Sequence, residues 1–159
     1  QQSRWSIYLK LVKIKTGWTD KNSNKLTIRI NKPVSEVFDL TINPQNTPRW
    51  IAFIVEETID GNEIKLGTRY RNKDKEGKIN LYEVTKFEND KVFELQSVPP
   101  CYTVKYTYTP ISDTETELEY FEWMESDVLS SPFPMSAMEK LKEVMEQKQE
   151  NKWRNSSFV

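Results

Sequence analysis

The order of the predicted elements limits what this chain can fold into more than any other feature. The sequence predicts one strand, a short helix that begins at a proline, a long run of strands, and a single amphipathic helix near the C-terminus. Consecutive strands at hairpin spacing form an antiparallel sheet, and such a sheet buries one face against another layer. We therefore predict an α+β fold in which a curved sheet wraps around the final helix and leaves space between the two layers.

The N-terminal part of this pattern begins with a strand. Residues 26–30 alternate apolar and polar side chains and are rich in β-branched residues, which is typical of a half-buried strand. Pro33 then favours a helix start, and apolar side chains recur at helical spacing until Asn43. The two prolines in segment 43–50 predict a second helical turn, which leads into a strand over residues 51–58.

The rest of the chain predicts more strands and then one long helix. The further strands are predicted over residues 67–71, 79–85, 92–95, 102–109 and 115–125. Segment 102–109 has the clearest two-residue period, because tyrosine and valine alternate there with threonine and lysine. Ser131 is the predicted N-cap of the final helix and Pro132 its first residue, and the helix is expected to run to about Trp153.

Composition excludes several classes of function. The chain has 23 Lys and Arg against 24 Asp and Glu, and this net charge of -1 does not favour phosphate backbones, so nucleic acid is not an expected partner. It has no histidine and one cysteine, Cys101, which excludes Ser-His-Asp catalysis, His-ligated metals and thiolate zinc sites. Its four glycines form no nucleotide-binding motif. We therefore expect neither a cofactor nor a metal.

Length and hydropathy set the domain boundaries. A single domain is predicted over residues 25–155, because 159 residues suffice for one core but not comfortably for two. Residues 1–24 alternate apolar residues with lysines and predict either an N-terminal extension or an extra edge strand, whose contact with a membrane would be peripheral at most. The sequence shows neither a signal-peptide core nor an apolar membrane span, so the expected location is cytoplasmic.

The acid-base groups that remain are carboxylates, lysines and tyrosines. Glu83 and Glu122 lie within otherwise apolar strand patterns, where a carboxylate is either a catalytic candidate or part of a solvent-exposed strand face. The exposed face is the simpler interpretation for each of them. If catalysis occurs, Arg71 or a tyrosine is the expected group for stabilising an enolate.

Several segments resemble a known family. The matching segments are 26–39 (LTIRINKPVSEVFD), Asn43-Pro44, Arg49-Trp50, 67–70, 82–87 and 110–120. Together they are similar to the polyketide cyclase/dehydrase-like branch of the START-related superfamily, also called SRPBCC or Bet v 1-like, over about residues 26–146. The resemblance implies a helix-grip fold, in which a curved seven-stranded antiparallel sheet surrounds a long C-terminal helix and two short helices follow the first strand.

What the resemblance implies for function is broad. Members of this superfamily bind lipids, sterols, plant hormones, polyketides or quinones between sheet and helix, and some are cyclases, dehydratases or ring-hydroxylase components. The hydroxylase-type members hold iron with histidines and a carboxylate, and this chain departs from that pattern because it has no histidine.

The inward-facing positions of the predicted strands and helices indicate where a ligand would bind. The predicted ligand-binding residues are Phe38, Tyr82, Phe93, Leu95, Val104, Tyr106, Tyr108, Leu118, Tyr120, Met138, Leu141 and Met145. Aromatic rings and thioethers suit an apolar or aromatic ligand, and buried phenols are better tolerated in a partly hydrated cavity than in a dry core. The simpler interpretation for any single one of these side chains is a packed core.

Three functional hypotheses follow. The favoured hypothesis is a non-enzymatic carrier or sensor of a hydrophobic small molecule, such as a lipid, a polyketide or an aromatic compound. The second is a cofactor-independent cyclase or dehydratase in which Glu83 or Glu122 moves a proton. The third is a protein-interaction module like the chaperone activators of this superfamily, which predicts a filled interior and an exposed apolar patch around Trp123, Phe133 and Trp153.

Overall fold

The computed structural model describes residues 21–156, and its elements follow the predicted order. The strands of this part of the chain are β1 (Ser23–Ile30), β2 (Ile54–Ile59), β3 (Arg69–Asp74), β4 (Ile79–Glu88), β5 (Val92–Ser97), β6 (Tyr102–Ser112) and β7 (Glu115–Met124). The α-helices are α1 (Val34–Ile42), α2 (Thr47–Trp50) and α3 (Met135–Ser156), with a 3-10 turn at Pro44–Asn46 between α1 and α2.

The strands within residues 21–156 form one curled antiparallel sheet, in the order β1-β7-β6-β5-β4-β3-β2. From β2 to β7, each strand pairs with the next along the chain, while β1 pairs over its whole length with β7. With the C-terminal helix and the two short helices after β1, this is a helix-grip α+β fold. The predicted fold class is confirmed.

The apolar stripe of α3 packs against the rest of the domain. Met138 and Leu141 on this stripe have no solvent-accessible surface, and α3 lies against β1 and α2. On the outer side of the helix, Lys142 Nζ donates a hydrogen bond to the backbone C=O of Arg29 at 2.7 Å. Helix α3 is thus attached to the first strand through both apolar and polar contacts.

The start of α3 differs from the prediction. The helix begins at Met135, not at Ser131 or Pro132, and Ala137 N–H bonds to the C=O of Pro134 in its first turn. A proline disfavours helical geometry in the residue that precedes it, so Pro134 holds Phe133 out of the helix. Phe133 is instead buried in the interior, at 7% exposure. The segment before α3 therefore packs into the interior through Phe133 and does not form a first helical turn.

Two strand boundaries also differ from the prediction. Ile51 N–H bonds to the C=O of Thr47 at 2.9 Å, which continues the helical turn, so β2 begins at Ile54 and not at residue 51. Strand β6 passes through the predicted turn at Pro110 and ends at Ser112. It can do so because the pairing with β7 shifts register between these two residues, and a bulge accommodates a proline that cannot donate to the ladder.

The predicted N-terminal extension lies mostly outside the described residues. Only its last residues fall within them, and β1 already includes Ser23 and Asn24. None of the helices within residues 21–156 combines the length with the apolar composition needed to cross a membrane.

We expect Leu141→Ala to lower the free energy of unfolding by about 2–5 kcal/mol, because the substitution leaves a cavity in the contact between α3 and the sheet. Urea denaturation monitored by circular dichroism measures the change. Glu139→Ala, at an exposed position on the same helix, is the matched control and should cost less than about 0.5 kcal/mol. Equal effects of the two substitutions would contradict the assigned orientation of α3.

Candidate functional site

A cavity of about 450 Å³ lies between the inner face of the sheet, helix α2 and the segment before α3. Nine of the residues that line it are aromatic: Trp50, Phe53, Tyr70, Tyr82, Phe93, Tyr102, Tyr106, Tyr120 and Phe133. Six of these rings, all except Trp50, Phe53 and Phe133, belong to β3 to β7, whose two-residue period places them on one face because alternate side chains along a strand point to the same side. The curl of the sheet then brings rings from several strands around one space.

Phe133 is the central contact between the segment before α3 and the sheet. Its ring stacks on Tyr120 of β7 at a centroid distance of 4.2 Å and lies edge-on to Trp50 of α2 at 6.0 Å. On its other side it meets Phe53, which is 45% exposed, at 6.2 Å. These three contacts form one side of the cavity, which extends to the surface at Phe53.

Half of the predicted ligand-binding residues line this cavity. They are Tyr82, Phe93, Leu95, Val104, Tyr106 and Tyr120. The other half are buried in the core without reaching the cavity wall: Phe38, Tyr108, Leu118, Met138, Leu141 and Met145. Tyr108 illustrates the reason, because its hydroxyl lies 2.6 Å from Thr41 Oγ1 and its ring packs edge-on against Phe38. The rings of Tyr108 and Phe38 fill the space between α1 and the sheet.

The structure places the three catalytic candidates on different faces of the sheet. Glu122 is 1% exposed and lines the cavity. Glu83 is on the outer face, where its carboxylate is 3.9 Å from Arg69 and 42% of the side chain is exposed. Arg71 is exposed between Tyr70 and Asn72, which are both buried and line the cavity. Glu83 and Arg71 therefore do not reach the site, whereas Glu122 is buried at the cavity wall and not on the exposed face that was the simpler interpretation for it.

Glu122 is held by two donors of different kinds. Its Oε1 accepts a hydrogen bond from the backbone N–H of Phe133 at 2.8 Å, and its Oε2 accepts one from the hydroxyl of Tyr102 at 2.9 Å. The hydroxyl of Tyr120 lies 3.2 Å from that of Tyr102. The three side chains form a short polar chain along the cavity wall, in an otherwise aromatic surface.

A second polar group, which sequence reasoning missed, is centred on Glu57 of β2. Its Oε1 accepts a hydrogen bond from Thr47 Oγ1 at 2.7 Å, and its Oε2 accepts one from Asn72 Nδ2 at 3.3 Å. Asn80 Nδ2 donates in turn to Asn72 Oδ1 at 3.1 Å. All four side chains line the cavity, so that Glu57, Asn72 and Asn80 make a polar row across β2, β3 and β4.

Strand alternation alone could not have indicated Glu57. Counted from the buried Ile54, the two-residue period places Glu56 inside and Glu57 outside. The β2–β3 pairing shifts register between Ile54 and Glu56, and a bulge of this kind reverses the parity of the residues after it. Asn72 did carry a signal, because it shares the inward parity of Tyr70, but an asparagine in a strand pattern is also typical of an edge.

The electrostatic character of the cavity is acidic. Glu57, Asp74 and Glu122 line it, and the described residues of its wall include neither lysine nor arginine. Burial raises the pKa of Glu57, and its hydrogen bonds from Thr47 and Asn72 only partly offset that effect. An ionised carboxylate at this position is therefore less stable than one in water.

Sequence comparison finds no matching protein-family profile and no similar curated protein. Comparison of structures does find similar folds. A START superfamily protein from Mycobacterium smegmatis matches with a TM-score of 0.63 and 13% identity, over 79% of this chain and 98% of that one. A protein from Nitrosomonas europaea matches with a TM-score of 0.65 and 14% identity, over 83% and 99% of the two chains.

Norcoclaurine synthase from Thalictrum flavum, whose structure was solved in complex with dopamine and hydroxybenzaldehyde, also matches. Its TM-score is 0.60 and its identity 10%, over 80% of this chain and 87% of that one. Identities this low establish the fold and nothing finer. The chain thus has a START-like helix-grip fold, as the resemblance implied, and the aromatic cavity lies between its sheet, helix α2 and the segment before α3.

We expect the cavity tyrosines to stay protonated above the pH at which an exposed tyrosine ionises. Burial raises the pKa of Tyr82 from 10.0 to about 12, and it also raises the pKa values of Tyr70, Tyr102, Tyr106 and Tyr120. Between pH 10.0 and about 12 the unfolded chain therefore loses protons that the folded protein keeps. The free energy of unfolding should fall as the pH rises through this interval.

An alkaline titration that follows tyrosinate absorbance and circular dichroism together measures this effect. The variant Tyr82→Phe removes one of the groups, so its stability should fall less steeply with pH than that of the parent protein. Tyrosinate formation with the ordinary pKa at all five positions, in protein that still has its native circular dichroism, would show that these phenols are not buried.

Proposed function

We propose that this protein binds a small molecule with an aromatic or apolar body in the cavity between the sheet, helix α2 and the segment before α3. The observation that carries the proposal is the cavity itself: about 450 Å³ of space walled by nine aromatic side chains. This volume lies in the range of small-molecule sites, and a mostly apolar wall with a few placed polar groups is their usual composition. We propose the role of a cytoplasmic carrier or sensor for such a molecule.

The polar atoms of the wall support a ligand site more than a solid core. Thr47, Glu57, Asn72 and Asn80 place polar side-chain atoms in the otherwise aromatic wall, and a few placed polar groups of this kind are usual in small-molecule sites. A neighbour in fold, norcoclaurine synthase, was solved with two small aromatic compounds, which supports the same kind of occupant here.

The interaction-module hypothesis has less support. It requires a filled interior and an exposed apolar patch that includes Phe133. Phe133 is 7% exposed and packs between Tyr120 and Trp50, and the interior contains a cavity. The side chain of Trp153 lies outside the part of the chain whose side chains the structure describes.

A neutral aromatic probe tests the proposal. We expect 1-naphthalenemethanol to bind the purified protein at one site, and Val104→Phe to weaken that binding at least about tenfold, because the added ring projects into the cavity from β6. Thr107→Phe adds the same ring to β6 on the outer face and should bind like the parent protein. Calorimetry measures both affinities, and thermal unfolding verifies that both variants fold.

Native mass spectrometry of the protein purified from its own host gives an independent test. A small molecule that co-purifies at one per chain supports a carrier.

The calorimetric test has its own contradicting outcome. If Val104→Phe and Thr107→Phe both retain binding of 1-naphthalenemethanol, or both lose it, the probe does not bind in the cavity and the proposal is contradicted.

A second function, proton transfer, is favoured by one observation. Glu122 is fully buried, faces the cavity and is linked through Tyr102 to Tyr120, which gives a carboxylate and two phenols on one wall. Such a set can remove a proton from a bound molecule and donate a hydrogen bond to the oxygen that becomes charged. This arrangement suits a cofactor-independent cyclase or dehydratase.

The probe 5-nitrobenzisoxazole tests this second function, because a carboxylate in an apolar site removes its ring proton and opens the ring to a coloured cyanophenolate. We expect Glu122→Gln to lower the rate by about 10²-fold or more relative to the parent protein. Glu83→Gln, which changes a carboxylate on the outer face, should have no effect. A rate that stays at the buffer background, or one that survives in Glu122→Gln, would exclude Glu122 as the base.

A further inference from the structure

We infer that the molecule bound in this cavity carries a positive charge, and that its class is an aromatic or apolar amine whose ammonium group lies beside Glu57. This inference rests on the proposed function, since it names the class of molecule that the same cavity takes. Glu57 is the residue that sets the charge preference, and the aromatic wall holds the body of the amine.

The first argument is the missing counter-charge. Glu57 and Glu122 line the cavity, yet neither takes part in an ion pair with any described lysine or arginine. Some other carboxylates of the sheet do have such partners, as Glu94 has Lys86 at 3.5 Å and Glu119 has Lys25 at 3.4 Å. A carboxylate in a largely apolar space is destabilised unless a cation is near it, and none of the lysines and arginines in the described part of the chain lies beside these two.

The second argument is the spare hydrogen-bonding capacity of Glu57. Each of its oxygens accepts one bond from a neutral donor, Thr47 at 2.7 Å and Asn72 at 3.3 Å. An ionised carboxylate can accept about four, so an ammonium group can donate to Glu57 without displacing either donor. Burial raises the pKa of Glu57, and a bound cation would offset this destabilisation of the charged form.

The third argument comes from the aromatic wall and does not depend on the carboxylates. The electron-rich faces of tyrosine and tryptophan attract cations, and they do so more strongly where water is excluded. The wall of this cavity contains five tyrosines and one tryptophan, so it favours a cationic ligand over an anionic one.

Glu57, and not Glu122, is the expected partner of the ammonium group. Glu122 accepts from the backbone N–H of Phe133 and from the hydroxyl of Tyr102, so it already fixes the segment before α3. The partners of Glu57 are side chains on the cavity wall, and Asn80 and Asp74 add further acceptor oxygens on the same part of the sheet. Glu57 is thus available to a ligand at a smaller structural cost.

Three probes with the same ring test the inference on the intact protein. They are 1-naphthalenemethylamine, 1-naphthalenemethanol and 1-naphthoate, which are cationic, neutral and anionic at neutral pH. We expect the amine to bind about tenfold more tightly than the alcohol, and the anion to bind most weakly. Calorimetry at fixed ionic strength measures the three dissociation constants, and this comparison requires no variant.

Matched variants then identify the carboxylate. Glu57→Gln keeps the shape of the side chain and removes its charge, so it should weaken binding of the amine about tenfold and leave binding of the alcohol unchanged. Glu83→Gln removes the same charge on the outer face and should change neither affinity. Thermal unfolding of Glu57→Gln should show a midpoint equal to or above that of the parent, since a poorly solvated carboxylate is removed.

The outcomes separate the inference from the proposal on which it rests. Tight binding of the amine that depends on Glu57 supports both. An alcohol that binds as tightly as the amine, or a preference for the amine that persists in Glu57→Gln, overturns the charged ligand and leaves the aromatic binding site in place. Failure of all three probes to bind up to millimolar concentration overturns the binding function itself, and the inference with it.

Discussion

The hydrogen bond between the Phe133 N–H and the Glu122 carboxylate determines the shape of the interior. At 2.8 Å it ties the segment before α3 to strand β7, and it keeps that segment from continuing the helix toward its N-terminus. Phe133 is thereby held against Tyr120 at 4.2 Å, where its ring forms a wall of the cavity. If the helix began at Pro132, as predicted from the sequence, Phe133 would belong to its first turn and could not occupy this position.

The architecture follows from side-chain periodicity to a large extent, because burial on one face of a sheet demands a two-residue pattern. Every strand within residues 21–156 was predicted from that pattern to within a few residues. The two helical turns after β1 were predicted from prolines, whose fixed φ angle acts locally. The start of α3 was not predicted correctly. The hydrogen bond from the Phe133 N–H to Glu122 and the effect of Pro134 on Phe133 together outweigh the capping signal at Ser131.

The site was predictable only in part, for a different reason. Tyr106 and Tyr120 could be placed on the wall by strand parity, but parity does not say whether an inward side chain meets another side chain or empty space. Tyr108 has the same parity as Tyr106 and packs against α1 instead. The inward position of Glu57 could not be predicted from strand parity, because a bulge reverses the parity of β2 just before it. Such a register shift depends on the pairing with the neighbouring strand.

The two carboxylates of the cavity divide its polar functions. Glu122 accepts a backbone N–H, so its carboxylate fixes the cavity wall as well as supplying a candidate base. Glu57 bonds to side chains only, so its charge can be removed with less effect on the backbone. A carboxylate that is poorly solvated and does not hold the backbone has a cost in stability. Recognition of a cationic ligand is the function that would offset this cost.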